Sequence, residues 1–99
     1  MAEYLVRIVL TRPEGLDDAG WAQLLAAERE VGLDHLARGV IVRIWRVPGT
    51  TSNVGVWSAK DASELDRLLG GLPASRYMSI RVEALAEHYL EAAFRDGSS

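Results

Sequence analysis

No cysteine occurs among the 99 residues. Disulfides, thiolate metal centres and a cysteine nucleophile are therefore excluded, and the composition suits a reducing cytoplasm, where we expect the protein. There are only two histidines, with no His-x-x-x-His or Glu-x-x-His helix pair, so a metal site is not expected. No glycine-rich loop opens a helix, and no serine lies in a Gly-x-Ser-x-Gly context. Positive charge is not in excess: the net charge is −3, which leaves no electrostatic footprint for nucleic acid. No apolar run approaches the roughly 18–20 residues of a membrane helix. The N-terminal residues lack the basic and apolar regions of a signal peptide, so no membrane partner is expected.

What is present is ordinary for one globular unit. An apolar share of 48% with 25% charged residues predicts a single domain over 1–99 with a modest core. The most informative stretch is 43–57. Val42, Ile44 and Arg46 alternate with Arg43, Trp45 and Val47, the period of a strand with two different faces. Pro48 and Gly49 break that strand, and 53–57 resumes it with Val54 and Val56 on one face and Gly55 and Trp57 on the other. Two arginines and two tryptophans so close together point to bound ligand rather than a plain hairpin.

The flanks supply the remaining elements. Residues 3–11 alternate as a strand, with Tyr4, Val6, Ile8 and Leu10 on one face. Asp17 or Asp18 caps a helix running to about residue 38, ended by Gly39. Its apolar stripe is Trp21, Leu24, Leu25, Val31 and Leu36, and Glu28 and His35 share that stripe with Gly32 between them. Asp61 and Glu64 form a capping box before a second helix that Gly70, Gly71 and Pro73 end. Residues 77–84 form a last strand with Met78, Ile80, Val82 and Ala84 inward, and 86–94 form a short alanine-rich tail helix for contacts with its own sheet or a partner subunit. Residues 96–99 are expected to fray. The order β-α-β-β-α-β predicts an α+β, ferredoxin-like fold with an antiparallel sheet and both helices on one face. The other face would carry Leu5, Val9, Trp45 or Trp57, and Tyr77. A bare face with aromatics predicts assembly, a ligand pocket, or both.

The order and spacing of these residues resemble the muconolactone Δ-isomerase family. The resemblance runs through Ile44-Trp45-Arg46-Val47-x-Gly49, Asn53-Val54-Gly55-Val56-Trp57, Glu64-Leu65 and Leu68-Leu69-x-x-Leu72-Pro73. It continues through Tyr77-Met78-x-Ile80-x-Val82-x-x-Leu85 to His88, and includes Glu28. It implies a small-molecule lactone as substrate, no cofactor or metal, and a homo-oligomer built from dimers, with decamers in the founding members. It also implies a proton shift converting muconolactone to 3-oxoadipate enol-lactone in aromatic-compound catabolism. The chain departs from the family pattern at Ala74-Ser75-Arg76, at Ser79, at Arg43 and at Tyr89, which leaves the substrate open. The alternatives are a biosynthetic cyclase or isomerase acting on another small molecule, and a non-catalytic ligand-binding or accessory module.

A proton shift within an unsaturated lactone needs a base, donors for the dienolate oxygen and a cation for any carboxylate. Glu28 is the candidate acid/base, and shelter from water would strengthen it as a proton acceptor. The plainer reading makes it a surface residue or the partner of Arg7 or Arg43. Arg46 is the candidate carboxylate clamp, since a guanidinium fork binds carboxylate bidentately; Arg43 is a weaker one. Asn53 is a candidate donor to the lactone carbonyl, or a turn residue. His88, matched through the resemblance, is a candidate pocket or interface residue supplied by a neighbouring tail. Trp45 and Tyr77 are candidate pocket walls, and His35 is a possible auxiliary in proton transfer.

Overall fold

The computed structural model describes residues 1–97. The elements are β1 (Ala2–Leu10), α1 (Asp18–Ala37), β2 (Ile41–Arg46), β3 (Ser52–Ala59), α2 (Ala62–Gly70), a 3-10 turn (Ser75–Tyr77), β4 (Met78–Leu85) and α3 (Tyr89–Arg95). The strands form one antiparallel sheet in the order β2-β3-β1-β4. This is the ferredoxin-like arrangement with a helix added at its C-terminal end.

Local chemistry sets the helix ends. The Asp17 carboxylate accepts from the Gly20 N–H at 2.8 Å, and Gly39 leaves α1 with φ of 76°, a left-handed conformation glycine adopts without strain. Asp61 accepts from the Glu64 N–H at 2.9 Å, while the Glu64 side chain accepts from the Lys60 N–H at 3.0 Å. The capping box thus reaches back one residue beyond the cap.

Residues opposite one another in an antiparallel sheet share a face, so the register reads out the interior. Three rows cross the helix-covered face: Ile41-Trp57-Tyr4-Ala84, then Ile44-Gly55-Val6-Val82, then Arg46-Asn53-Ile8-Ile80. Tyr4, Val6, Ile8, Ile41, Trp57 and Ala59 join Leu65, Leu69 and Leu72 in the core. A shift of register between Ile41 and Arg43 keeps both Ile41 and Ile44 on this side.

The structure resolves or corrects several expectations. Trp57 is 1% exposed within the core, so of the two tryptophans it is Trp45 that belongs to the bare face, with Leu5, Val9, Val54 and Val56. Tyr77 lies in the 3-10 turn, and β4 begins one residue later. In α1 the side turned to the sheet is Trp21, Leu24, Glu28, Val31, Gly32 and His35, all half-buried, whereas Leu25 and Leu36 are exposed. Those two leucines lie a quarter-turn off the stripe. Tyr89, Leu90 and Phe94 of the tail helix stay 74%, 59% and 85% exposed and do not cover their own sheet. Asp96 caps α3; Ser98 and Ser99, also expected to fray, lie outside the described residues.

Candidate active site

Glu28 stands midway along α1, on its sheet-facing side. Its Oε1 accepts a 2.6 Å hydrogen bond from the Ala74 N–H, in the loop between α2 and β4. Ala74 is fully buried, so this bond gives an interior amide its partner. The carboxylate is thereby tethered at one oxygen and keeps its second oxygen for chemistry. The expected alternatives, ion pairs with Arg7 or Arg43, are ruled out by the sheet. Both arginines pair in register with bare-face valines, Arg7 with Val54 and Arg43 with Val56, on the side away from α1.

Two turns further along α1, about 10 Å at the rise of a helix, is His35. Its ring meets the Trp57 indole edge-on, with centroids 5.5 Å apart. Between Glu28 and His35 comes Gly32, and a Cβ built there meets nothing within 4 Å. The helix is therefore held to the α2–β4 loop at Ala74 and to the sheet at Trp57, with Val31 packed on the core between them and open space beside Gly32 alone. The sheet wall of this slot is β3, whose helix-facing residues are Asn53, Gly55 and Trp57, with Ile44 and Arg46 beside them on β2. Three buried polar atoms along these walls have no hydrogen-bond partner: His35 Nδ1, Asn53 Oδ1 and Trp57 Nε1. Native interiors leave few such atoms; those of His35 and Trp57 belong to rings in edge-on contact, while that of Asn53 lies four strand residues away.

Glu28, His35 and Asn53 thus lie half-buried on the side where α1 meets the sheet, and Arg46 shares the Asn53 row but is exposed. The other candidates lie elsewhere. Arg43 and Trp45 lie on the opposite face, where the guanidinium sits 4.9 Å from the indole centroid. His88 caps α3, accepts from the Leu90 N–H through Nδ1 at 3.1 Å, and stacks on Tyr89, beyond the far end of β4. Tyr77 is half-buried in the turn that follows Ala74, and its N–H donates to the Ala74 carbonyl. A separate open concavity of about 740 Å³ lies beside His88, Glu91 and Arg95, and a depression of about 140 Å³ lies on the bare face between Arg7, Arg81 and Glu83. Neither reaches Glu28. Two parts of the slot had no signal in the chain: the Ala74 amide, since a backbone donor leaves no mark on side-chain pattern, and the direction of the Trp57 indole nitrogen.

A family model described as muconolactone delta-isomerase matches residues 2–91. The chain belongs to the muconolactone Delta-isomerase family. Among its relatives, the muconolactone Delta-isomerase of Rhodococcus opacus is 31% identical over 89% of this chain and 95% of its own. That of Cupriavidus pinatubonensis is 32% identical over 86% of this chain and 92% of its own. A crystal structure of muconolactone isomerase superposes with a TM-score of 0.81 at 29% identity, covering 87% of this chain and 90% of the other. As a member of this isomerase family, the chain is an enzyme that rearranges its substrate internally.

Proposed function

We propose that this protein is a cofactor-free isomerase of muconolactone or a closely related unsaturated lactone, with Glu28 as its single acid/base. In such a lactone the ring carbon bearing the side arm is γ to the carbonyl, and its proton is acidified through the C=C bond. Glu28 takes that proton, the electron pair moves through the ring to the carbonyl oxygen, and the dienolate forms. The same carboxyl, exchanging its proton with solvent, then delivers a proton to the α carbon, which leaves the double bond shifted and the composition unchanged. Arg46 holds the side-arm carboxylate at the Asn53 end of the slot. The observation that carries this reading is the position of Glu28: half-buried, facing the sheet, and tethered by one oxygen to the Ala74 amide.

Assembly into a homo-oligomer belongs to the same proposal. Three large apolar side chains on α3 and a sheet face bearing Leu5, Trp45, Val54 and Val56 are more apolar surface than a lone small domain leaves uncovered. The test of the chemistry is exchange in deuterated buffer. Wild-type protein should introduce deuterium into muconolactone as it isomerises it, and Glu28→Gln should do neither. Exchange that persists at the wild-type rate in Glu28→Gln removes Glu28 from the mechanism.

A further inference from the structure

Trp57 is the largest fully buried side chain of the protein, and its indole N–H has no acceptor. An interior donor left unpaired costs about 1–3 kcal/mol. The nitrogen is turned along the strand toward Gly55: a Cβ at residue 55 would lie 3.4 Å from Nε1 and 3.1 Å from the Arg43 carbonyl oxygen. Gly55 thus puts no side chain in front of the indole N–H, in a space so close-fitting that even a methyl group would be crowded. On α1, a Cβ built at Gly32 has no neighbour within 4 Å. His35, edge-on to the indole, contributes a second buried and unpartnered nitrogen. In its Nδ1–H tautomer the imidazole is a second donor beside the first.

We propose that the Trp57 N–H, flanked by His35, is the oxygen-binding end of the slot, and that it donates to the lactone carbonyl oxygen as negative charge develops there. The inference rests on the lactone reading above and goes further by fixing how substrate lies. Four residues of extended strand, about 13 Å, separate the Asn53 row from Trp57, and Glu28 stands over the interval. The side-arm carboxylate lies toward Arg46, the carbonyl oxygen lies toward Trp57, and the carbons that exchange the proton pass beneath Glu28. A preorganised donor in a site sheltered from water stabilises the oxyanion more than the neutral carbonyl, so it acts on turnover.

Two measurements test this. Trp57→Phe keeps an aromatic ring in the core and removes the donor together with part of the indole's bulk; kcat for muconolactone should fall about 10²- to 10³-fold, the usual loss for one oxyanion donor, with a much smaller change in KM. In 15N-labelled wild-type protein, the indole signal of Trp57, assigned through the backbone and not through the variant, should shift on saturation with muconolactone. The signals of Trp21 and Trp45 should move less. The same titration with 2(5H)-furanone, which keeps the unsaturated lactone and lacks the acetate arm, should also shift it. Wild-type kcat in Trp57→Phe, or an unmoved Trp57 signal in protein that isomerises the lactone, overturns this inference and leaves Glu28 in place. Protein that neither isomerises nor exchanges muconolactone, yet shows the Trp57 shift with furanone, overturns the proposed reaction and keeps the oxygen-binding end. Absence of both activity and shift overturns the two together.

Discussion

Gly32 gives the sharpest test of whether a slot exists at all. A glycine inside a helix is less favourable than alanine by about 0.8–1.0 kcal/mol, because it leaves more backbone freedom to lose. That gain is realised on substitution only if the new methyl meets no neighbour, and at residue 32 nothing lies within 4 Å. Gly32→Ala should therefore raise stability by about 1 kcal/mol, which in a domain of this size lifts the melting temperature by about 4–8 °C. Gly32→Phe places a ring in the same gap, between Glu28 and His35 and opposite Gly55. Its helix should survive, since phenylalanine is only a moderately poor helix former, but kcat/KM for muconolactone should fall at least 100-fold as the ring takes the substrate's place. Far-UV circular dichroism melts and steady-state isomerisation rates read the two effects separately. A lower melting temperature for the alanine variant would mean that the space is filled. Undiminished turnover in the phenylalanine variant would mean that substrate binds elsewhere, and either result refutes the slot.

Two further outcomes follow from contacts already described. Glu28→Gln keeps an oxygen that accepts from the Ala74 amide and Glu28→Ala does not. Both should lose at least 10²-fold in kcat, but only the alanine variant should lose about 1–3 kcal/mol in urea denaturation, the cost of an unpaired interior N–H; equal stabilities would show that the tether contributes nothing. On the tail, Leu90→Ser with Phe94→Ser should reduce the assembled mass seen by light scattering at micromolar protein, because those side chains are exposed at 59% and 85% in a single chain. Unchanged mass in the double variant, or a monomeric wild type, would refute a role for α3 in assembly.

The element order, the strand faces and the caps were legible because each has a short-range cause. Tyr4, Val6 and Ile8 alternate into the core, Asp17 and Asp61 cap where their side chains reach the third amide ahead, and Gly39 adopts the positive φ that ends α1. The stripe carrying Glu28 and His35 was legible for the same reason. Arg43 was harder to place, because its role depends on which face of β2 meets the helices. In a strand a step of one residue reverses the face, so the Arg43–Arg46 spacing puts the two arginines on opposite sides of the sheet. Nothing in the local pattern says which of them α1 will cover. The Glu28–Ala74 bond joins residues 46 apart, and such a distant pairing has no counterpart in periodicity.

The packing of α1 ties the site to the fold. Twenty residues long, this helix buries none of its side chains completely, whereas the nine-residue α2 buries Leu65 and Leu69. α1 meets the core through the half-buried Val31 and through two polar contacts on the same stripe. His35 against Trp57 is one of these, and the Glu28 hydrogen bond to Ala74 in the α2–β4 loop is the other. Both are polar groups on the stripe where a more ordinary helix would carry leucine. Replacing either by a packed apolar side chain would draw α1 toward β3 and close the gap over Gly55. The same residues that attach the helix are thus the ones proposed to meet substrate. That coincidence explains why the helix stripe bears a glutamate and a histidine, although each costs apolar contact with the sheet.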